Sequence, residues 1–131
     1  MADESYPEDL KYHQEHDWVR LDGEEATFGV TWYAQDTLGE VVFFDLPQVG
    51  SSLTKDQSYA EVESVKAVSD VFAPLSGEIT AVNEALSDSP DKINQDAYGE
   101  GWMVKVALSD PSELEDLLDV GAYRELLAGD N

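Results

Sequence analysis

The 131-residue sequence predicts a mainly β fold, a barrel or sandwich of short strands with a few helices laid against it. Three observations carry that reading. Runs rich in β-branched and aromatic residues recur along the chain, Gly and Pro punctuate them at close intervals, and only two segments change to a helical period. Residues 1–10 are polar, acidic and contain Pro7, so they read as a loose lead-in. Trp18 to Leu21 and Ala26 to Val30 flank Asp22-Gly23, the dipeptide that best signals a β-hairpin. Thr31 can then cap a short helix reaching Leu38, and Gly39 can take the left-handed conformation that stops it.

Val41 to Leu46 reads as a strand with a hard stop at Pro47, and Val49-Gly50 and Lys55-Asp56 read as turns. Tyr59 to Glu63 alternates as a half-buried strand does, and further strands are expected at Val68 to Ala73, Glu78 to Asn83 and Trp102 to Leu108. Ser87 to Gly101 reads as turns. The tail then changes period over residues 110–127. Ser109 or Asp110 caps a helix with Pro111 at its first position, Glu113 closes a capping box, and Leu114, Leu117 and Leu118 share a face. A further turn or two carries Tyr123, Leu126 and Leu127, and the helical tail is expected to pack on the sheet.

The length suits one domain, and three Trp, six Tyr and four Phe supply bulk for one core. The absence of cysteine excludes disulfides, thiol nucleophiles and cysteine-based metal sites. The first residues are acidic where a signal peptide is basic, and Val41 to Phe44, the longest apolar run, is too short to span a bilayer. A cytoplasmic location is expected. With 29 Asp plus Glu against 7 Lys plus Arg, the formal net charge of −22 argues against nucleic acid and anionic membranes as partners. The acids run from Asp3 to Asp130 without forming a block, which reads as adaptation to concentrated salt rather than a docking face.

Two strand-like runs approach each other around Val65-Lys66, so Lys66 is expected at or beside a hairpin tip, exposed. Small neighbours, Ser64, Ala67 and Ser69, leave its amine open to an acylating enzyme that grips a rigid protruding loop. Glu63-Ser64-Val65-Lys66-Ala67 resembles the lipoyl-attachment motif of the H protein of the glycine cleavage system. Further resemblances follow in the family's order: His16-Asp17-Trp18-Val19, Tyr33 to Phe43, Leu46-Pro47-Gln48-Val49-Gly50, Ser76-Gly77-Glu78-Ile79, Val82 to Leu86, and Tyr98 to Trp102. Together they span about Leu10 to Leu127.

The resemblance implies a barrel-sandwich hybrid, the lipoyl hammerhead, over a single carrier domain of residues 1–131, with lipoate amide-linked to Lys66. It implies a non-catalytic carrier that takes an aminomethyl group from a pyridoxal-phosphate glycine decarboxylase (P protein). The carrier delivers it to the aminomethyltransferase (T protein) and is reoxidised by dihydrolipoamide dehydrogenase (L protein). A lipoate ligase or lipoyltransferase would load it, and a monomer is expected. Glu63, Ser64, Val65 and Ala67 would form the recognition loop, and two carboxylates would lie near the cleft that receives the arm: Asp17 by the resemblance alone, and Asp70 because it follows the lysine by four residues and is near it in any hairpin. Two positions depart from the family: Asp17 stands where Glu is usual, and Asp56 where Gly is usual.

Other readings are a lipoate donor to other complexes, an acidic interaction module with an unmodified lysine, and a metal-dependent enzyme using His13, His16 and Asp17. A biotin carrier is disfavoured because no Met flanks Lys66, and lipoyl domains of 2-oxo acid dehydrogenases lack the helical tail.

Overall fold

The structure, a computed structural model, describes residues 6–129. Its strands form two antiparallel sheets. The larger contains β1 (Lys11–Tyr12), β2 (Asp17–Asp22), β3 (Glu25–Val30), β5 (Ser52–Leu53), β8 (Gly77–Val82) and β9 (Val104–Leu108), in the order β1-β2-β3-β9-β8-β5. The smaller contains β4 (Val41–Phe44), β6 (Ser58–Ser64) and β7 (Val68–Phe72), with β6 central. One core cluster draws Phe28, Val30, Ile79 and Val106 from the first sheet and Val41, Phe44, Val62 and Val71 from the second, so each sheet buries one face against the other.

The β2–β3 hairpin has a two-residue loop, because Asp22 pairs with Glu25. The loop residues are therefore Gly23 and Glu24, one position beyond the Asp-Gly step. Gly23 at φ 66° supplies the left-handed first position that matches the strands' twist. Helix α1 (Trp32–Leu38) starts as expected, with the Thr31 hydroxyl accepting from the Ala34 N–H, and stops at Gly39 with φ 79°. β4 ends at Phe44, two residues short of the expected strand, although the Asp45 N–H still donates to Glu61 O at 2.9 Å.

Three expectations need correction. Tyr6 and Leu10 are buried and Tyr12 donates to Pro7 O at 2.7 Å, so residues 6–10 are packed rather than loose; residues 1–5 lie outside the described ones. The stretch from Ser87 to Gly101, read as turns, holds the single-turn helix α3 (Lys92–Gln95) and the end of another, α2 (Ala85–Asp88), whose Ile93 and Leu86 enter the core. The tail begins as a 3-10 helix over Pro111–Asp116, breaks at Leu117 in extended conformation, and resumes as α4 (Val120–Gly129). Asp110 caps it, but the Glu113 carboxylate closes no capping box: it accepts from the Ser76 N–H at 2.7 Å and the Ser76 hydroxyl at 2.8 Å.

The tail covers a second apolar cluster beneath β1. Tyr123 of α4 stacks on Tyr12 with ring centroids 4.7 Å apart, and Tyr6 meets both edge-on. Each such pair contributes about 0.5–1.5 kcal/mol beyond its buried area. This packing fixes the loop between β1 and β2, which forms one wall of the site.

Candidate functional site

The lysine sits on a turn closed by its own backbone and by the side chain of Ser64. Glu63 and Val68 are the last paired residues of the β6–β7 hairpin, and the Ser64 N–H donates to Ala67 O at 2.8 Å to close a four-residue turn. The Ser64 Oγ accepts from the N–H groups of Lys66 and Ala67, each at 3.2 Å, so a small hydroxyl residue satisfies donors that the tight turn would leave open. Lys66 itself is exposed, and Val65 beside it is 65% exposed.

A platform under the turn holds it in place. The Val65 N–H donates to Glu40 O at 3.0 Å, tying the turn to the link between α1 and β4. Asn94 of α3 clamps that link from both sides, donating to Gly39 O at 2.7 Å and accepting from the Val41 N–H at 2.8 Å. Gly39 also lies under the lysine: a Cβ there would stand 2.9 Å from Lys66 Cε. Gly39 is thus required for its positive φ, whereas the close approach involves only the flexible end of an exposed lysine, which can move aside.

Beside the platform lies a cleft of about 200 Å³. Its walls are α1, through Tyr33, Ala34 and Leu38, the edge strand β7, through Ser69 and Asp70, and the end of the β1–β2 loop with the start of β2, through His16 and Asp17. Leu38 and Ser69 are within three residues of Gly39 and Lys66 in sequence, so the cleft opens next to the turn. The loop doubles back tightly. The His13 N–H donates to Asp17 O at 2.9 Å, the His16 N–H donates to His13 O at 2.8 Å, and His16 takes φ 73°. His16 Nδ1 is bonded to the Tyr123 hydroxyl at 2.8 Å, and its ring packs on Tyr33 with centroids 4.6 Å apart.

Asp17 is 1% exposed and its Oδ2 has no hydrogen-bond partner. Burial, and secondarily the Glu15 carboxylate, push its carboxyl well above the usual carboxylate range. His13, also buried, stands behind it: Nδ1 is 3.9 Å from Asp17 Oδ2, too far for a hydrogen bond, while Nε2 is 2.7 Å from Asp56 Oδ1. The hydrogen bond to His13 holds the Asp56 carboxyl below its ordinary value.

The structure therefore brings Asp17 and Asp70 to one cleft and puts Lys66 on the turn that leads into β7, the strand carrying Ser69 and Asp70 of its wall, with Glu63, Ser64, Val65 and Ala67 forming the turn around it. It does not bring His13, His16 and Asp17 together as ligands. His16 and His13 are committed to Tyr123 and Asp56, and among the described residues no group of three His, Asp or Glu side chains converges on a common point. Gly39 was expected only to stop α1, His13 only as a candidate metal ligand and Tyr33 only as part of the resembling stretch Tyr33 to Phe43, while Asn94 had no role. A Gly ending a helix was visible, but nothing local marks Asn94 or His13.

A family model, glycine cleavage H-protein, matches residues 10–130. The chain belongs to the glycine cleavage H-protein family. It is 53% identical over 117 residues to the glycine cleavage system H protein of Symbiobacterium thermophilum, covering 89% of this chain and 91% of that protein. It is 51% identical over 119 residues to the probable glycine cleavage system H protein of Haloarcula marismortui, covering 91% and 94%. The crystal structure of a glycine cleavage system H protein from Mycobacterium marinum superposes with a TM-score of 0.86 at 36% identity, over 94% of this chain and 99% of that one. The two-sheet architecture with short helices is thus the fold of a solved H protein. No helix among the described residues is long and apolar enough to cross a membrane.

Proposed function

We propose that the chain is the lipoyl-bearing carrier of the glycine cleavage system, with residues 1–131 acting as one carrier domain and lipoate joined to Lys66 Nζ as an amide. One observation carries the reading: an exposed amine stands on a braced turn, and the strand that leaves this turn walls a cleft whose lining includes a buried carboxyl with an unpaired oxygen. When bound, the lipoyl group supplies a dithiolane that is reduced and reoxidised and carries the aminomethyl group of glycine between enzymes.

The protein's own residues do the rest. Ser64 and the Glu40 carbonyl keep the turn rigid, so that a lipoate ligase or lipoyltransferase meets a preformed loop of Glu63, Ser64, Val65 and Ala67. Tyr33, Ala34 and Leu38 offer an apolar wall for an alkyl arm, and Asp17, with Asp70 at the edge, offers carboxyl oxygens to a cationic cargo. The partners in this reading are the P, T and L proteins, in the cytoplasm. The carrier itself performs no catalysis, and the high acidity adapts its surface to salt.

Lys66→Arg tests the assignment. Arginine keeps the charge, but its delocalised guanidinium does not form the amide. The variant is expected to fold, with stability within about 0.5 kcal/mol of the parent because the site is exposed. It should lack the lipoyl mass that the parent gains, while arginine at Lys55, Lys92 or Lys105 leaves modification intact. A Lys66→Arg protein that still gains the mass would refute attachment at this residue.

A further inference from the structure

The array Asp56–His13–Asp17 joins the protein surface to the floor of the cleft, and its geometry fixes the tautomer of His13. The Glu15 N–H donates to His13 Nδ1 at 3.2 Å, so that nitrogen is an acceptor without a hydrogen. Nε2 therefore carries the hydrogen and donates it to Asp56 Oδ1 at 2.7 Å. Asp56 is set for this contact by a left-handed backbone, φ 70°, on the turn after β5, and its other oxygen lies 3.4 Å from Lys55 Nζ, which also meets Asp116 at 3.4 Å. Behind the imidazole, Asp17 Oδ2 faces the bare Nδ1 from 3.9 Å with no other partner. The neighbouring charges at the cleft are Glu15 and Asp70, so no cationic side chain lies there to hold Asp17 as a carboxylate.

We propose that His13 is a positioning residue that accepts the proton of Asp17 when a primary ammonium enters the cleft, with Asp56 stabilising the imidazolium that results. This rests on the reading that a cationic cargo docks there. The Asp17 Oδ2–H bond breaks, a new N–H bond forms at His13 Nδ1, and the ammonium keeps all its protons. Net charge within the array is unchanged, and no proton is exchanged with solvent. A closure of about 1 Å brings Oδ2 and Nδ1 into hydrogen-bond range. The Glu15 N–H loses its acceptor but sits on an exposed residue where water replaces it. Without Asp56 the imidazolium would be buried with only one carboxylate, which is the costly arrangement. The cleft thereby switches from a neutral floor, suited to an uncharged arm, to an anionic one only when a cation is present.

The test uses isotope-labelled, lipoylated protein, with the arm oxidised, or reduced and charged with formaldehyde and ammonium. Nitrogen NMR should show His13 Nδ1 unprotonated in the first state and protonated in the second, while the Asp17 carboxyl carbon moves from acid to carboxylate. Asp56→Asn keeps an acceptor for Nε2 and tolerates positive φ but removes the charge. In that variant Nδ1 should stay unprotonated on charging, and formaldehyde should be lost about threefold or more faster. The proposal is overturned if Asp17 ionises while Nδ1 stays bare, if Nδ1 is protonated in both states, or if Asp56→Asn changes neither signal nor rate. A carboxyl carbon that ignores charging altogether would overturn the docking of the cargo in this cleft and the proton transfer with it. Ionisation without a protonated Nδ1 would overturn the transfer alone.

Discussion

The lysine turn and the floor of the cleft adjoin each other in space and are built in opposite ways. The turn is made from near neighbours: Ser64 bonds Lys66 and Ala67, and its one long tie, Val65 to Glu40, uses backbone atoms only. The floor is made from distant ones. Asp17 on β2, Asp70 on β7, Tyr33 on α1 and the His13–Asp56 pair come together only because two sheets and a tail have packed. The turn is exposed and carries a charge that water solvates, whereas the floor is buried and carries a carboxyl that water does not reach. A reactive amine needs access more than environment. A binding carboxyl needs an environment that shifts its ionisation, and that takes depth.

Substitutions should separate the two regions by sign as well as size. Gly39→Ala strikes the platform under the turn, where the backbone lies at φ 79° and ψ −157°, a conformation essentially reserved for glycine. Its stability should fall by about 1–3 kcal/mol in denaturant titration. The added methyl should also push the Lys66 side chain aside, since Cε would be 2.9 Å away. An unchanged midpoint would mean that the link carries no strain and the turn needs no such support.

Asp17→Asn should move the other way. The carboxyl of Asp17 lies above its unfolded value, so its contribution to stability is present below the unfolded pKa and is lost as pH rises through the folded one. The amide does not titrate and can donate to His13 Nδ1. The variant should therefore match the parent near pH 4 and exceed it by about 1–2 kcal/mol at pH 7, the cost of an unsatisfied buried polar group. A variant less stable than the parent at neutral pH would show that the ionised carboxylate is satisfied in the folded chain.

Salt should act on the surface and leave the floor alone. Raising potassium chloride shortens the screening length from about 10 Å at 0.1 M to about 3 Å at 1 M, which relieves repulsion among exposed acids. With a net charge of −22, the melting temperature of the parent should climb by several degrees. The gap between parent and Asp17→Asn should stay within about 0.3 kcal/mol, because a carboxyl at 1% exposure is screened little. A flat melting temperature would show that the acids are compensated locally and would remove the salt-adaptation reading.

The short-range features were legible in the sequence because their causes lie within a few residues. Thr31 caps α1, Gly39 ends it, and Ser64 to Ala67 turn the chain so that Lys66 projects. The mainly β class followed from recurring β-rich runs and their punctuation. What tertiary structure alone decided involves partners far apart in the chain. β1 and β5 have two residues each, too few for any periodicity to show. α2 and α3 are single turns whose Leu86 and Ile93 are held by the core rather than by propensity. Glu113 left its expected capping box because Ser76, 37 residues away, offered two donors at once. The ionisation of Asp17 was likewise beyond the sequence: nothing in His-Asp-Trp says whether a carboxyl faces water or an imidazole held by Asp56. A side chain's chemistry is written in the sequence, but its desolvation is set by what packs around it, and those neighbours are chosen only when the chain folds.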